Sequence, residues 1–197
     1  MNKIKNVMIC VVFLHIVGNV SAQNSQPIEL PYICASQQKT YRVDSPEDNI
    51  VYHWSVSGGV ADKEIGNEII VKWQDTDGEG TIAVYGEDAV TKCTSETAIY
   101  TLKIRKNPIA EFDNSYVCYG QPLKILSQGK APFEIVYTID GKEKNIKTSE
   151  TEYSMPNESG KYKLTKVIDS SCENEITKNN ISEIMPELKP LKIETSF

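Results

Sequence analysis

From residue 40 onward the chain alternates apolar and polar side chains in short runs. TYRV, VYHWSV, EIIVKW, TIAVYG and AIYTLKI follow one another between residues 40 and 104. In VYHWSV, Tyr52, Trp54 and Val56 share one face, and His53 and Ser55 share the other. In EIIVKW, Ile69, Val71 and Trp73 oppose Ile70 and Lys72. A period of two is that of a strand with one side buried. SGG at 57–59 and DTDGEG at 75–80 supply turn formers and read as hairpin turns. Five short strands with frequent turns and no helical period predict an all-β chain folded as a β-sandwich. The expected core includes Tyr52, Trp54, Val71 and Trp73, with Tyr137 in the later part of the chain.

The N-terminus breaks this pattern. MNKIKN precedes the apolar run VMICVVFLHIVGNV, and Val20-Ser21-Ala22 offers small residues where a signal peptidase reads. Residues 1–22 therefore read as a secretory signal, cleaved between Ala22 and Gln23. The run is shorter than the ~20 residues needed to span a bilayer, and no later segment is as apolar, so the mature chain is not expected to span a membrane. Losing Lys3 and Lys5 with the signal moves the net charge from −6 to −8. An acidic exported chain has neither the phosphate-neutralising surface of a nucleic-acid binder nor a basic patch for anionic lipid.

Export gives the cysteines meaning. PYIC at 31–34 and SYVC at 115–118 place the same residue types together twice, suggesting two copies of one kind of module. Four cysteines follow the signal, and in an exported chain disulfides are expected over metal sites, with three pairings open. Cys34 and Cys93 bracket one β-rich stretch, Cys118 and Cys172 another, and RKNPIAEF at 105–112 lies between them as a short linker. The expected bridges are Cys34–Cys93 and Cys118–Cys172, each closing a loop within one half and stabilising it by roughly 4 kcal/mol. The expected divisions are a signal at 1–22, domains at 27–105 and 109–185, and a short tail at 186–197.

The first half resembles the PKD-like, immunoglobulin-like modules of bacterial surface proteins. Their pattern of Y-x-V, Y-x-W-x-V-x-G-G, I-x-V-x-W and G-x-I-x-V is met by Tyr41 and Val43; Tyr52, Trp54, Val56, Gly58 and Gly59; Ile69, Val71 and Trp73; and Gly80, Ile82 and Val84. The second half resembles a companion module found in tandem with these. Cys118, Gly120, Gly129, Pro132, Phe133, Ile135 and Tyr137 fit its opening, and Tyr162, Leu164, Val167, Asp169 and Cys172 its close. The resemblance implies two immunoglobulin-like sandwiches in tandem, in an exported or surface protein of gliding, type IX-secreting Gram-negative bacteria. The 25 residues after Cys172 are too few for the C-terminal sorting domain used by that export route.

No catalytic constellation is legible, and no enzyme or cofactor is expected. His53 is the single histidine after the signal, expected on the outward face of its strand, and cannot by itself build a triad or a zinc cluster. Asp75, Asp77 and Glu79 with Gly80 read like the first half of a calcium loop, but Gly86 stands where the bidentate carboxylate belongs. These three are a weak metal candidate, and no metal is expected. Two functions remain. One is a non-enzymatic interaction module with an envelope or surface protein partner, serving as an accessory or adhesive component. The other is a glycan-binding sandwich using one sheet face or the loops at one end.

Overall fold

The structure is a computed structural model, and it describes residues 29–191. Ala22, Gln23 and the rest of the signal reading lie outside the described residues. Among the described residues every regular element is a strand.

The first seven strands are β1 (Tyr32–Cys34), β2 (Gln38–Arg42), β3 (Ile50–Ser57), β4 (Gly59–Ile65), β5 (Glu68–Trp73), β6 (Gly78–Asp88) and β7 (Ala98–Arg105). They form two sheets, ordered β1-β7-β6-β3 and β2-β5-β4. The period-two runs became β2, β3, β5, β6 and β7. Two strands were not legible: β1 is only three residues long, and β4, an edge strand reading GVADKEI, is almost wholly exposed. The two turns expected to be hairpins are cross-sheet connections instead. Gly58 carries the chain from β3 in one sheet to β4 in the other, and residues 74–77 carry β5 to β6. Gly58 has φ +75°, and a Cβ there would lie 2.2 Å from the Glu79 carbonyl oxygen. Only glycine meets both constraints at no cost.

The remaining strands are β8 (Ile109–Phe112), β9 (Tyr116–Val117), β10 (Lys124–Gln128), β11 (Phe133–Ile139), β12 (Lys142–Thr148), β13 (Glu152–Ser154), β14 (Gly160–Ile168), β15 (Glu173–Glu175) and β16 (Ile181–Ile184). Their sheets run β13-β10-β8 and β12-β11-β14-β16-β9, with β15 pairing β14. No sheet contains strands from both sets, and each set encloses its own apolar cluster. We call the two sets the first and second lobes. Both have two packed sheets and a short strand lying parallel to the last strand of the set, β1 on β7 and β9 on β16. In the second lobe Tyr162, near the start of β14, donates its hydroxyl to the carbonyls of Glu158 at 2.7 Å and Pro156 at 3.2 Å. This is the tyrosine corner of immunoglobulin-like sandwiches. The fold is all-β and immunoglobulin-like.

The cores differ in completeness. The second lobe has fifteen buried apolar residues in one cluster, including Leu123, Ile125, Ile135, Tyr137, Tyr162 and Leu164. The first has eight, centred on Ile69, Val71, Trp73, Leu102 and Ile104, so less of its inner surface is covered. Trp54 only packs half-buried against that cluster, and Tyr52 lies outside it. The core expectation is therefore corrected for Tyr52, and the reason is geometric. Tyr52 pairs with Gly86 near the beginning of β3, where the opposing sheet has already ended, since β2 stops at Arg42. Its hydroxyl instead accepts the Glu47 N–H at 3.1 Å.

The disulfide expectation is also corrected. Among the described residues one bridge is present, Cys34–Cys172, with Cα atoms 5.8 Å apart, and Cys93 and Cys118 are free and exposed. Within each half the expected partners stand at opposite ends. Cys34 pairs with Arg105 at one end of β7, whereas Cys93 precedes the other end of β7 at Ala98. Val117, beside Cys118, pairs with Ile184 level with Gly160, while Cys172 follows Ile168 at the far end of β14. A strand of eight or nine residues is roughly 27 Å long, and a disulfide tolerates a Cα separation of no more than about 7 Å. Similar loop lengths in sequence could not reveal which end of the sandwich each cysteine occupies.

Candidate binding slot

Where the lobes meet, the contacts are polar and specific. The Arg105 guanidinium lies 3.9 Å above the Tyr32 ring, and it bonds Glu29 and the Ser171 hydroxyl. Asn107 donates to the Ala35 carbonyl at 3.1 Å, and Asn174 to the Pro108 carbonyl at 3.0 Å. Asp169 accepts backbone N–H groups from Lys130, Ser171 and Cys172 at 2.7–2.9 Å. These bonds fix the turn after β14 and present Cys172 to Cys34. The accompanying groove, about 400 Å³, is lined by Asp77, Lys106, Gln128, Lys130 and Asp169 among others. Of its lining, Asp77, Arg105, Asn107 and Asp169 are engaged in hydrogen bonds that hold the junction and its turns.

The acidic turn belongs to that junction. Asp77 accepts the Lys106 N–H at 2.7 Å, so its carboxylate caps the start of the segment joining the lobes. Asp75 and Glu79 are exposed. Among the described residues no group of three or more His, Cys, Asp or Glu is placed to hold a metal ion. His53 stacks on Tyr85, with ring centroids 4.8 Å apart, and its Nε2 stands 3.4 Å from Glu87. It is half-buried by these neighbours rather than freely solvated.

The more distinctive feature lies at the uncovered part of the first lobe. The sheet carrying β3, β6 and β7 extends beyond the shorter opposing sheet. Its inward side chains there, Trp54, Val84, Ala98 and Tyr100, meet Tyr41 from the end of β2 around a slot of about 330 Å³. The lining is mainly apolar and aromatic, with Arg42 and Asp44 at the rim. The Tyr41 and Tyr100 rings are 5.8 Å apart. Burial pushes the Tyr41 hydroxyl above its ordinary pKa, against the opposing effect of the Trp73 side chain beside it. Tyr41, Trp54 and Tyr100 thus offer aromatic faces in a mainly apolar lining, a composition common in binding pockets.

Beside the slot runs an open strand edge. β1 covers β7 only from Lys103 to Arg105. Lys103 donates to the Pro31 carbonyl, and Arg105 accepts from the Ala35 N–H, so odd-numbered residues of β7 turn their backbone groups toward that side. The β6–β7 register runs without a shift from Gly78↔Ile104 to Val84↔Ala98. By strand alternation, the N–H and C=O of Ile99 and Thr101 face the open side. No described strand pairs there. Ile99 is 68% exposed and Tyr100 43%. Sequence reasoning placed Trp54 wholly in the core and did not single out Tyr100. The only available signal was the exposed Ile99-Tyr100 pair within AIYTLKI, which one sequence cannot separate from a core strand.

Residues 108–184, the span from β8 to β16, match the family described as nucleoporin pom152-like, ninth immunoglobulin-like domain. No curated protein matches the chain in sequence. Several solved structures are similar in fold. Murine CEACAM1b shares 8% identity over 79% of this chain and 95% of that chain, with a TM-score of 0.34. The N-terminal four immunoglobulin domains of Dscam1 isoform 8.4 share 15% over 79% of this chain and 42% of that chain, with a TM-score of 0.33. The D00-D0 domain of intimin shares 7% over 81% and 97%, with a TM-score of 0.35. No helix among the described residues is long and apolar enough to cross a membrane.

Proposed function

We propose that the chain is an exported, non-enzymatic interaction module made of two immunoglobulin-like domains, residues 27–105 and 109–185, followed by a short tail. It serves as an accessory or adhesive component of a cell-envelope or surface assembly, in a gliding, type IX-secreting bacterium as the sequence resemblance implies. The supporting observation is the meeting of an aromatic slot with the unpaired backbone groups of Ile99 and Thr101. An added strand gains affinity from main-chain hydrogen bonds and specificity from alternate side chains entering a pocket. The Cys34–Cys172 bridge suits an oxidising compartment outside the cytoplasm. The test is a photocrosslinking residue at position 99 in the native cell envelope, followed by mass spectrometry. A reproducible protein adduct is expected. Recovery of uncrosslinked chain alone, under conditions that capture other envelope complexes, would refute the reading.

A second reading draws on the same slot. Trp54, Tyr41 and Tyr100 present ring faces on which a sugar could stack. A glycan array with the mature chain separates the two. Saturable binding to a polysaccharide, lost in Trp54→Ala while the fold is kept, would replace the protein partner with a glycan.

A further inference from the structure

We infer that the strand received by the open edge of β7 is a C-terminal segment of a second copy of this chain, residues 191–197, so that copies join head to tail. The inference rests on the reading of the slot as a binding site and names its occupant.

The donor is legible in the sequence LKIETSF. Leu191, Ile193, Thr195 and Phe197 alternate with Lys192, Glu194 and Ser196. Such alternation suits a strand with one face against an apolar surface and one in water. Leu188 and Leu191 are 89% and 98% exposed, so the described part of this tail has no apolar partner among the described residues. The acceptor edge, from Ala98 to Leu102, is shorter than the seven-residue donor. A strand laid there continues the line that β1 begins along β7. Its inward side chains enter between the two sheets, over Tyr41 and Tyr100.

Reach dictates that the donor acts on another copy. The chain leaves the second lobe after Ile184, which pairs with Gly160, and Met185 donates to the Val117 carbonyl. That is the end of β14 opposite Cys172 and the junction. The junction is thus roughly 27 Å away along β14, and the acceptor edge lies beyond it. The six residue steps from Met185 to Leu191 span at most about 20 Å. The lobes are not folded back beside one another, because their bridging contacts sit at the junction and no sheet is shared.

Other edges suit this donor less well. β12 reads KEKNIKT and β4 carries Asp62, Lys63 and Glu64 with a register shift after Ala61, the charges and irregularities that guard an edge. β3 is uncharged and lends Trp54 to the slot, but the exposed apolar pair Ile99-Tyr100 beside the slot belongs to β7. The part of β7 that no described strand covers combines exposed backbone, no charge and an adjoining apolar slot.

The test uses the mature full-length chain and two variants. Ile99→Pro removes a backbone N–H that faces the open side and takes part in no β6 ladder bond, so it blocks the edge alone. Ile193→Asp places a charge on the apolar face of the donor. Sedimentation velocity over a concentration series should show the parent chain forming oligomers, and each variant alone should remain monomeric. Mixing the two variants should restore one species, a dimer, because one keeps a working donor and the other a working acceptor. Circular dichroism establishes that each variant is folded, and Ile99→Lys substitutes if the proline variant is not. A monomeric parent chain at every concentration, oligomers unaffected by both variants, or no dimer on mixing would overturn the inference. If the inference fails while position 99 still crosslinks to another envelope protein, the slot remains a binding site with a different occupant. If position 99 captures nothing either, the function proposed for the slot fails as well.

Discussion

Gly80 is the position where one methyl group should do most damage to the first lobe. It lies on β6, facing Trp73 of β5 across the two sheets. A Cβ built on Gly80 would stand 2.3 Å from Trp73 Cζ3, and 2.9 Å from both Cε3 and Cη2. Carbon atoms pack best at about 3.5–4.0 Å, so the ring would have to shift by more than an ångström. It has little room to do so. Trp73 is 2% exposed, and a Cβ on Gly59 would itself lie 3.0 Å from Cε3. Gly80 has no left-handed backbone, so the cost of Gly80→Ala is steric. Overpacking a well-filled core costs typically ~1–3 kcal/mol, and a rigid ring held by backbone puts this case near 3.

Tryptophan fluorescence isolates the effect, because both tryptophans, Trp54 and Trp73, belong to the first lobe. With a urea slope of about 1.5 kcal/mol/M, the midpoint should fall by about 2 M. Gly78→Ala is the control, since its Cβ would meet only the flexible end of the Gln74 side chain; it should cost no more than about 1 kcal/mol. In a Trp73→Leu background the Gly80→Ala penalty should shrink to a fraction of its value, giving a coupling of about 2 kcal/mol. A Gly80→Ala protein that unfolds within about 0.5 kcal/mol of its parent would refute the proposed packing of Trp73 on β6.

The other predictions address the second lobe and the junction. Tyr162→Phe should cost about 1–1.5 kcal/mol, measured by far-ultraviolet denaturation, because two backbone carbonyls lose their donor. Burial first, then the Glu158 and Tyr137 side chains, pushes the Tyr162 hydroxyl up to about 12. Its share of stability should hold until the unfolded tyrosine ionises near about 10, then decline as pH rises toward 12; ultraviolet titration should find a tyrosine that ionises late, and its ionisation at about 10 would contradict the buried corner. Non-reducing peptide mapping should recover Cys34 joined to Cys172, with Cys93 and Cys118 open to alkylation; either intra-lobe pair would overturn the junction bridge. Asp77→Ala should cost about 1 kcal/mol through loss of the Lys106 cap, while millimolar calcium should leave the parent melting temperature unchanged; a rise of several degrees would restore the acidic turn as a metal site.

What the sequence disclosed follows from which features are local. Alternation in EIIVKW and AIYTLKI marks strands directly, because the side-chain period is a property of the backbone and survives in any sheet. Val71 and Trp73 are buried, as that alternation indicates. Tyr52 and Trp54 obey the same alternation, yet their exposure depends on how far the opposite sheet extends, which is a property of the whole lobe. The turns at 57–59 and 75–80 look identical whether they close a hairpin or cross between sheets, since glycine and aspartate serve both. β4 was hidden because an exposed edge strand needs no apolar face. The cysteine pairing failed for a related reason: loop length is read along the chain, whereas bridging is decided by which end of a sandwich each residue reaches.

The position of the bridge bears on what the protein can build. Only Lys106 to Pro108 separates β7 from β8, and a three-residue linker alone would leave the lobes free to hinge. Cys34 is tied to the end of β7 through the β1 ladder, and Cys172 is held by the bonds of its turn to Asp169. The disulfide therefore closes a short bracket around the linker, with Arg105 and Asn107 adding contacts on either side. An interface that joins a tail to a slot at the other end of the next copy is heterologous, and such contacts yield rings or open filaments according to the rotation between copies. A free hinge would make that rotation vary from copy to copy and leave an irregular chain. The bracket makes each copy transmit the same rotation, so a weak strand-to-edge contact can be repeated into a regular assembly. An intra-lobe disulfide would have stabilised each sandwich, but it would have left that rotation undetermined.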